Sequence, residues 1–358
     1  MFMRTRTIFF CAQQKLFLRV VNFSPSRSNK IDTMNYTSTQ LQETYQKWLE
    51  ALALDRQPQS LYEPVKYVLS LGGKRLRPVL MLMAYNLYKE DIECAMHQAL
   101  GIELYHNFTL LHDDVMDKAD IRRGKPTVHK RWNDNLAILS GDAMTILAYQ
   151  QMAQCDARHL PAVIDLFSQT ALEICEGQQY DMDFEQRMDV KEAEYIEMIR
   201  LKTSVLLAGS LKIGAILTDA PARDADLLYD FGICLGLAFQ LKDDLLDVYG
   251  DPAVFGKKNG GDILCNKKTY LLIKALELAN PSQRQELYRW IELRDFFPQE
   301  KIDAVTSLYN IIGVNRMAER LIDDYTTKAA QLLNGVSVSD ERKAVLRQLM
   351  DGLKAREV

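Results

Sequence analysis

Two short acidic motifs, each set in an otherwise apolar stretch, constrain the fold of this chain more than any other feature. The first, DDVMD, covers residues 113–117, and the second, DDLLD, covers residues 243–247. If each stretch is helical, its first and last aspartates are four residues apart and project from one face. Carboxylates that lie so close beside an apolar surface repel each other and lose hydration, so a cation is expected between them.

The duplication of the motif bears on the nature of that cation. One copy is equally compatible with an acidic first turn that complements a helix dipole. Two copies, 130 residues apart, predict six aspartates around one cavity, and such a cluster requires several cations. Hard oxygen ligands suit Mg²⁺, which also bridges to phosphate groups. The pair of motifs therefore predicts a magnesium-dependent site for a diphosphate.

Clusters of cations accompany the acidic motifs. The sequence GGKRLRP at 72–78 places three cations after a flexible turn, and a second basic run starts at Arg122 and Arg123. Arginine bonds phosphate in a bidentate manner, although a solvated basic loop is the alternative. His106 precedes Asp113 by two helical turns and is either a core histidine or a donor to an anion. Further candidate anion ligands, each of which alone would be ordinary surface decoration, are Lys202 beside Thr203, Lys257 and Lys267.

The periodicity of apolar residues predicts an all-α fold, a single large helical bundle with a deep central cavity, over residues 36–358. A capping box at Ser60–Glu63 with Pro64 in the first turn predicts a helix start, and Gly72-Gly73 predicts its end. Residues 1–35 are rich in arginine and serine and are interpreted as a disordered leader or as sequence upstream of a true start. Further helices are predicted at 79–87, 95–117, 136–153, 162–178, 191–216, 225–249, 268–279, 282–293, 301–332 and 340–353.

Charge and cysteine content exclude several classes of protein. The net charge of −4 gives no global basic field for nucleic acid, and no apolar run is long enough for a transmembrane segment. The six cysteines form no C-x-x-C pair, which argues against a zinc site or a disulfide framework and favours a reducing, cytoplasmic environment. Organelle targeting by residues 1–35 is the less favoured alternative.

From about Tyr36 to its C-terminus the chain resembles trans-isoprenyl diphosphate synthases, the polyprenyl synthetase family. The resemblance rests on the combination of GGKRLRP at 72–78, HNFTLLHDDVMD at 106–117, RRGKPTVH at 122–129, SGD at 140–142, KT at 202–203, FQLKDDLLD at 239–247 and the GK-x-x-G-x-D pattern at 256–262. One departure is that the family's later G-K-x-T element here is Asn266-Lys267-Lys268-Thr269, so a difference is expected in the local loop geometry.

The resemblance implies an isoprenoid synthase fold, a homodimer and a role for each candidate residue. Asp113, Asp117, Asp243 and Asp247 would hold Mg²⁺ against an allylic diphosphate, which Arg122, Lys202 and Lys257 would help to bind. Lys267 would be a further substrate ligand. The diphosphate of isopentenyl diphosphate would be held by Lys74, Arg77, His106 and Arg123. Thr203 and Gln240 would position the substrates and stabilise developing charge.

The resemblance also implies that the length of the product depends on the helix before the first motif. Phe108 precedes Asp113 by five residues, about 7–8 Å along a helix, and a bulky side chain there would stop elongation at farnesyl or geranylgeranyl diphosphate. Thr109 is small and leaves its position open, and Phe108 as a mere core aromatic is the alternative. Other functions that remain open are a long-chain polyprenyl synthase, a class I terpene cyclase and a non-catalytic synthase subunit.

Overall fold

Helices make up nearly all of the regular structure. We analysed a computed structural model, which describes residues 35–251 and 259–354. They belong to one compact unit that starts at Asn35. The helices are α1 (Ser38–Glu50), α2 (Gln59–Ser70), α3 (Leu76–Asn86), α4 (Met96–Met116), α5 (Val128–Arg131), α6 (Asp134–Met152), α7 (Leu160–Glu185), α8 (Glu192–Ile199), α9 (Val205–Ile216), α10 (Ala222–Tyr249), α11 (Gly261–Leu264), α12 (Tyr270–Leu278), α13 (Pro281–Glu292), α14 (Pro298–Ile312), α15 (Val314–Gly335) and α16 (Asp340–Lys354).

The two helices that carry the acidic motifs are long and mostly buried. Helix α4 packs chiefly against α6, and α10 packs against α15 and α9. Helix α9 also contacts α3 and α7, so it connects the two halves of the bundle. Buried residues occur all along α4 and α10, as expected for helices at the centre of a bundle. The prediction of an all-α bundle is confirmed.

Several predicted boundaries were wrong. Helix α2 begins at Gln59 after Pro58, so Ser60 does not cap it and Pro64 lies in its interior. Because the Leu61 N–H bonds to the Pro58 carbonyl at 3.1 Å, the first turn closes before Ser60 can act as a cap. The predicted helix over 301–332 is two helices, because Gly313 has φ +83° and ends α14.

The predicted helix over 191–216 is also interrupted. Residues Arg200–Ser204 form a π-helical turn between α8 and α9. Gly177 of α7 packs so closely there that a Cβ atom would lie 2.4 Å from the backbone nitrogen of Lys202. Insertions of this kind are frequent at functional sites. Here the wider turn carries Lys202 and Thr203.

A small hairpin follows α4 in the stretch that the sequence left as a basic run. Strand β1 (Ile121–Arg122) pairs with β2 (Lys125–Pro126) in antiparallel register. Arg123 and Gly124 between them have φ values of +51° and +74°, which is the pattern of a type I′ turn. The hairpin thereby gives Arg122 and Arg123 fixed places beside the first motif.

Nothing in the described part of the chain has both the length and the apolar character of a membrane-crossing helix. Residues 1–34, 252–258 and 355–358 lie outside the described residues, and with them Lys257 and all of the predicted leader except Asn35.

Candidate active site

The first acidic motif lies at the C-terminal end of α4. Asp113 is in the last turn, and Asp117 is the C-cap residue, whose N–H bonds to the Asp113 carbonyl at 2.8 Å. Burial raises the pKa of Asp113; the Asp117 carboxylate adds to this effect, and the Lys202 ammonium opposes it. Carboxylates are unfavourable at the negative end of a helix dipole. The alternative of an acidic first turn is therefore wrong.

The middle aspartate of this motif serves the protein itself. Asp114 is 5 % exposed, and both its oxygens accept from Arg122 Nε at 2.8 and 2.9 Å. A second guanidinium nitrogen lies 2.7 Å from Oδ1. This bidentate ion pair anchors the hairpin to α4. Arg122, predicted to bind the allylic diphosphate, thus has a structural partner while 30 % of its side chain stays exposed.

The second motif lies near the end of α10, and its members also divide in two. Asp243 and Asp247 are partly exposed, and Asp247 Oδ2 accepts from the Asp262 N–H at 2.9 Å. Asp244 is buried and accepts from the Tyr195 hydroxyl and, at 3.1 Å, from Gln240 Nε2. Burial raises the pKa of Asp244 to about 7. Both middle aspartates are therefore bonded to protein groups, whereas all six aspartates were predicted to face one cavity.

The π-helical turn places two further candidates between the motifs. Lys202 Nζ donates to Asp181 Oδ2 at 2.6 Å. Thr203 Oγ1 donates to Gln240 Oε1 at 3.1 Å, so the amide of Gln240 links the turn to Asp244. Asp181 is not among the predicted residues, because α7 extends two turns beyond its predicted end. The available signal was Gly177, since a glycine inside a helix marks a close approach.

Lys267 connects the two halves of the site. Desolvation opposes its charge, but the surrounding carboxylates outweigh that effect and raise its pKa. These carboxylates belong to Asp262, to Asp181, to Asp244 of the second motif and to Asp117 of the first. Both motifs, 130 residues apart in sequence, therefore act on one lysine.

The carboxylates have the chemistry of a Mg²⁺ site but do not complete one. Among the described residues no three His, Cys, Asp or Glu side chains converge as a metal-binding group. Mg²⁺ commonly takes one or two carboxylates from a protein and its other oxygens from water and substrate phosphates. The outer aspartates fit that mode of binding.

A second site is a cationic cavity of about 330 Å³, lined in part by the helices that carry the acidic motifs. Four predicted residues line it, namely Lys74, Arg77, His106 and Arg123. His106 Nε2 lies 3.1 Å from an Arg77 guanidinium nitrogen, and Arg77 Nε is buried without a hydrogen-bond partner in the described structure. Burial and the nearby Arg77 charge hold the pKa of His106 well below its usual value, so its ring is neutral at pH 7. The cavity is suited to an anion.

All three cations of the basic segment at 72–78 line the cavity, and one of them already has a carboxylate partner. Arg75 is 5 % exposed and forms a buried ion pair with Glu103 of α4. Arg123 donates to the Gly72 carbonyl, and a Cβ atom on Gly73 would lie 2.9 Å from the Arg123 guanidinium carbon. The two glycines thus let the backbone approach the hairpin arginine.

Apolar side chains form the other wall of the cationic cavity. Leu207 comes from α9, Phe239 from α10 and Leu353 from α16. On α10, Phe239 lies four residues before Asp243 of the second motif. On α4, His106 lies seven residues before Asp113 of the first motif. The same two helices therefore line both the acidic and the cationic sites.

Phe108 lies in an aromatic cluster below the first motif. Its ring centroid is 4.7 Å from that of His112 and 5.2 Å from that of Tyr105. Phe167 and Tyr149 continue the cluster, with centroids 4.9 Å apart. Thr109 turns its hydroxyl to the His106 carbonyl at 2.9 Å.

Comparison with known proteins identifies the family. The family model described as polyprenyl synthetase matches residues 58–312, and the chain belongs to this family. The short chain isoprenyl diphosphate synthase of Methanothermobacter thermautotrophicus is 36 % identical over 304 residues, which is 85 % of this chain and 92 % of the relative. The resemblance found in the sequence is therefore confirmed.

Solved structures agree with this assignment. A crystal structure of geranylgeranyl pyrophosphate synthase has a TM-score of 0.87 and 44 % identity, covering 90 % of this chain and 100 % of that one. The geranylgeranyl pyrophosphate synthase of Corynebacterium glutamicum, complexed with isoprenyl diphosphate and magnesium, has a TM-score of 0.78 and 26 % identity, covering 92 % and 100 %.

Proposed function

We propose that this protein is a Mg²⁺-dependent trans-prenyltransferase that joins isopentenyl diphosphate head-to-tail to an allylic diphosphate. The observation that carries the proposal is that the two helices with the acidic motifs also line a separate cationic cavity, through His106 and Phe239. One site suits a diphosphate bound through metal ions, and the other suits a diphosphate bound by cations alone. Such a pair is what a two-substrate condensation requires.

In the first site, the outer aspartates of the two motifs, Asp113 with Asp117 and Asp243 with Asp247, would hold Mg²⁺, which neutralises charge on the leaving diphosphate. Lys202, Lys267 and Arg122 bind the same diphosphate. Lys202 is already paired with Asp181 at 2.6 Å, so it is held in place before substrate arrives. Lys257 is assigned here from the family resemblance alone.

In the second site, Lys74, Arg77, His106 and Arg123 hold the diphosphate of isopentenyl diphosphate. The neutral His106 donates a hydrogen bond rather than a charge. The apolar wall formed by Leu207 and Phe239 accommodates the five-carbon group and directs its double bond toward the first site.

The reaction begins when the allylic carbon–oxygen bond breaks, which leaves an allylic cation and diphosphate. The double bond of isopentenyl diphosphate attacks that cation, and loss of a proton to the departing diphosphate restores a double bond. Thr203 and the carbonyl oxygen of Gln240, which lie 3.1 Å apart, place oxygen atoms beside the developing cation. The apolar surroundings exclude the water that would quench it.

The aromatic cluster supports a short product. The chain grows away from the aspartates along α4, and Phe108 with Tyr105 and Phe167 closes that path about 7–8 Å below Asp113. We therefore propose farnesyl or geranylgeranyl diphosphate as the product.

Product analysis tests the function directly. Purified protein is incubated with labelled isopentenyl diphosphate and, in turn, a five-, ten- or fifteen-carbon allylic primer. We expect one short prenyl diphosphate, loss of turnover in EDTA and recovery with Mg²⁺. A hydrocarbon from farnesyl diphosphate alone would instead indicate a cyclase, and activity only after addition of a second chain would indicate a non-catalytic subunit.

We propose further that the enzyme is a cytoplasmic homodimer. Helices α6 and α7 expose large apolar side chains, among them Ile138, Leu139, Ile146 and Leu172. A second copy of the chain would cover this surface. Sedimentation of the wild-type protein and of Ile146→Lys tests the proposal, since a monomeric wild type would contradict it.

A further inference from the structure

Lys301 on α14 is a buried lysine whose observed contacts are neutral. It is 1 % exposed, and its ammonium donates to Asn266 Oδ1 at 2.7 Å and to the Leu264 carbonyl at 3.4 Å. The ammonium also lies 4.4 Å from the centre of the Phe296 ring. Burial lowers its pKa. Because burying a lysine is costly, these contacts require a specific explanation.

Those contacts hold the end of the short helix α11. Asn266 has φ +56°, a left-handed conformation in which glycine is more usual. The Asn266 N–H bonds to the Ile263 carbonyl at 3.2 Å and the Lys267 N–H to the Asp262 carbonyl at 2.9 Å. This pair of bonds is a Schellman motif, with Asn266 at the position that requires the left-handed turn.

Both the oxygen and the nitrogen of the Asn266 side-chain amide form hydrogen bonds. Its Oδ1 accepts from Lys301, and its Nδ2 donates to the Ile291 carbonyl at 3.1 Å. Asparagine here thus replaces the conformational freedom of glycine with two anchors, one to α14 and one to the end of α13. The residue that follows these anchors is Lys267.

The other end of this segment is fixed to the second acidic motif. The Asp262 N–H bonds to Asp247 Oδ2 at 2.9 Å, and the Gly260 N–H bonds to the Asp247 carbonyl at 2.6 Å. Residues 260–267 are therefore held between Asp247 at one end and Lys301 at the other. Loss of either anchor frees the backbone that presents Lys267.

We propose that Lys301 and Asn266 are positioning residues that fix the backbone carrying Lys267 beside the second acidic motif. They act through Lys267 and do not touch substrate. The inference rests on the proposed function, in which Lys267 binds the allylic diphosphate. It assigns to a lysine outside both motifs a share in selecting one of the two substrates.

The test is the KM for each substrate in Lys301→Met, which keeps the aliphatic stem and removes the ammonium. We expect the KM for the allylic diphosphate to rise about tenfold, while the KM for isopentenyl diphosphate changes less than about twofold. Asn266→Gly should give the same pattern, and its fold is preserved because glycine accepts φ +56° without strain. The allylic KM of the double variant should be no higher than that of the poorer single variant, because both changes remove the same Lys301–Asn266 hydrogen bond.

Lys343→Met is the matched control, since Lys343 is another buried lysine that donates to backbone, at 3.1 Å to the Val336 carbonyl. It should lower thermal stability without raising the allylic KM. Equal KM changes for both substrates, or an unchanged allylic KM in Asn266→Gly, would overturn the inference. A wild-type protein that makes no prenyl diphosphate would instead refute the proposed function.

Discussion

The two acidic motifs have the same spacing but different local structures. The first ends a helix, and its middle residue, Asp114, is neutralised by the charged donor Arg122. The second lies within α10, and its middle residue, Asp244, meets the neutral donors Tyr195 and Gln240. In both motifs the middle aspartate is bonded to protein groups, and the outer two are the residues that we propose as metal ligands.

The largest expected effect comes from removing an outer aspartate. Asp113→Ala should lower kcat about 10³-fold, equivalent to about 4 kcal/mol. The reason is that the Mg²⁺ that would neutralise the leaving diphosphate loses a protein ligand. Asp247→Ala should be similarly damaging. Steady-state turnover at saturating Mg²⁺ measures both, and full activity in Asp113→Ala would refute the assignment of the outer residues.

A smaller effect is expected where the π-helical turn meets α7 between the two motifs. In Gly177→Ala the new Cβ atom would lie 2.4 Å from the backbone nitrogen of Lys202, so the π-helical turn must move. We expect kcat to fall about 10- to 100-fold and the free energy of unfolding to drop by about 1–3 kcal/mol. Turnover and urea denaturation measure these changes. In the control Gly335→Ala the Cβ atom meets only the end of Leu227, at 3.3 Å, so both quantities should stay near wild type.

The middle aspartates allow the comparison itself to be tested. Asp114→Asn removes a buried, charge-assisted interaction and should lower the free energy of unfolding by about 2 kcal/mol. Asp244→Asn should cost less than about 1 kcal/mol at pH 7, because a carboxyl with a pKa of about 7 is half neutral there. Urea denaturation at fixed pH measures both, and an equal cost at the two sites would contradict the proposed difference.

The same pair carries a pH dependence with a definite sign. Since the folded Asp244 carboxyl has a raised pKa, the folded state binds more protons than the unfolded state between the ordinary value of 3.8 and about 7. Wild-type stability relative to Asp244→Asn should therefore fall as the pH rises through that range. Urea denaturation of both proteins at several pH values measures this difference in the free energy of unfolding. A difference that does not change with pH would contradict the raised pKa of Asp244.

The smallest effect on rate, but a change in product, is expected before each motif. Phe108 lies five residues before Asp113 in the aromatic cluster, whereas Phe239 lies four before Asp243 and lines the cationic cavity. Phe108→Ala should lengthen the product by at least one five-carbon unit. Phe239→Ala should leave the product unchanged and raise the KM for isopentenyl diphosphate a few-fold, about 1 kcal/mol or less. Chromatography of the products separates the two results.

The sequence sufficed for the all-α class and for placing both acidic motifs on helices, because helical periodicity and a four-residue spacing are local properties. Asp181 escaped detection because its importance depends on the partner Lys202, which is 21 residues away across a helix–helix contact. The partner of Arg75, Glu103 on α4, was equally hidden, since Arg75 and Arg77 lie in one short basic segment. What could not be predicted was tertiary: the partner that each charge finds, and the π-helical turn that Gly177 makes room for.

The ion pair between Lys202 and Asp181 has a consequence for how the enzyme responds to ionic strength. A diphosphate that enters the acidic site exchanges one partner of Lys202 for another, so part of the charge interaction is present beforehand. The cationic cavity, by contrast, has several cations on its lining but a single carboxylate, that of Glu103, which is paired with Arg75. Added salt screens the attraction of the cavity for its substrate more strongly. Isopentenyl diphosphate should therefore be the substrate whose binding weakens first as salt is raised.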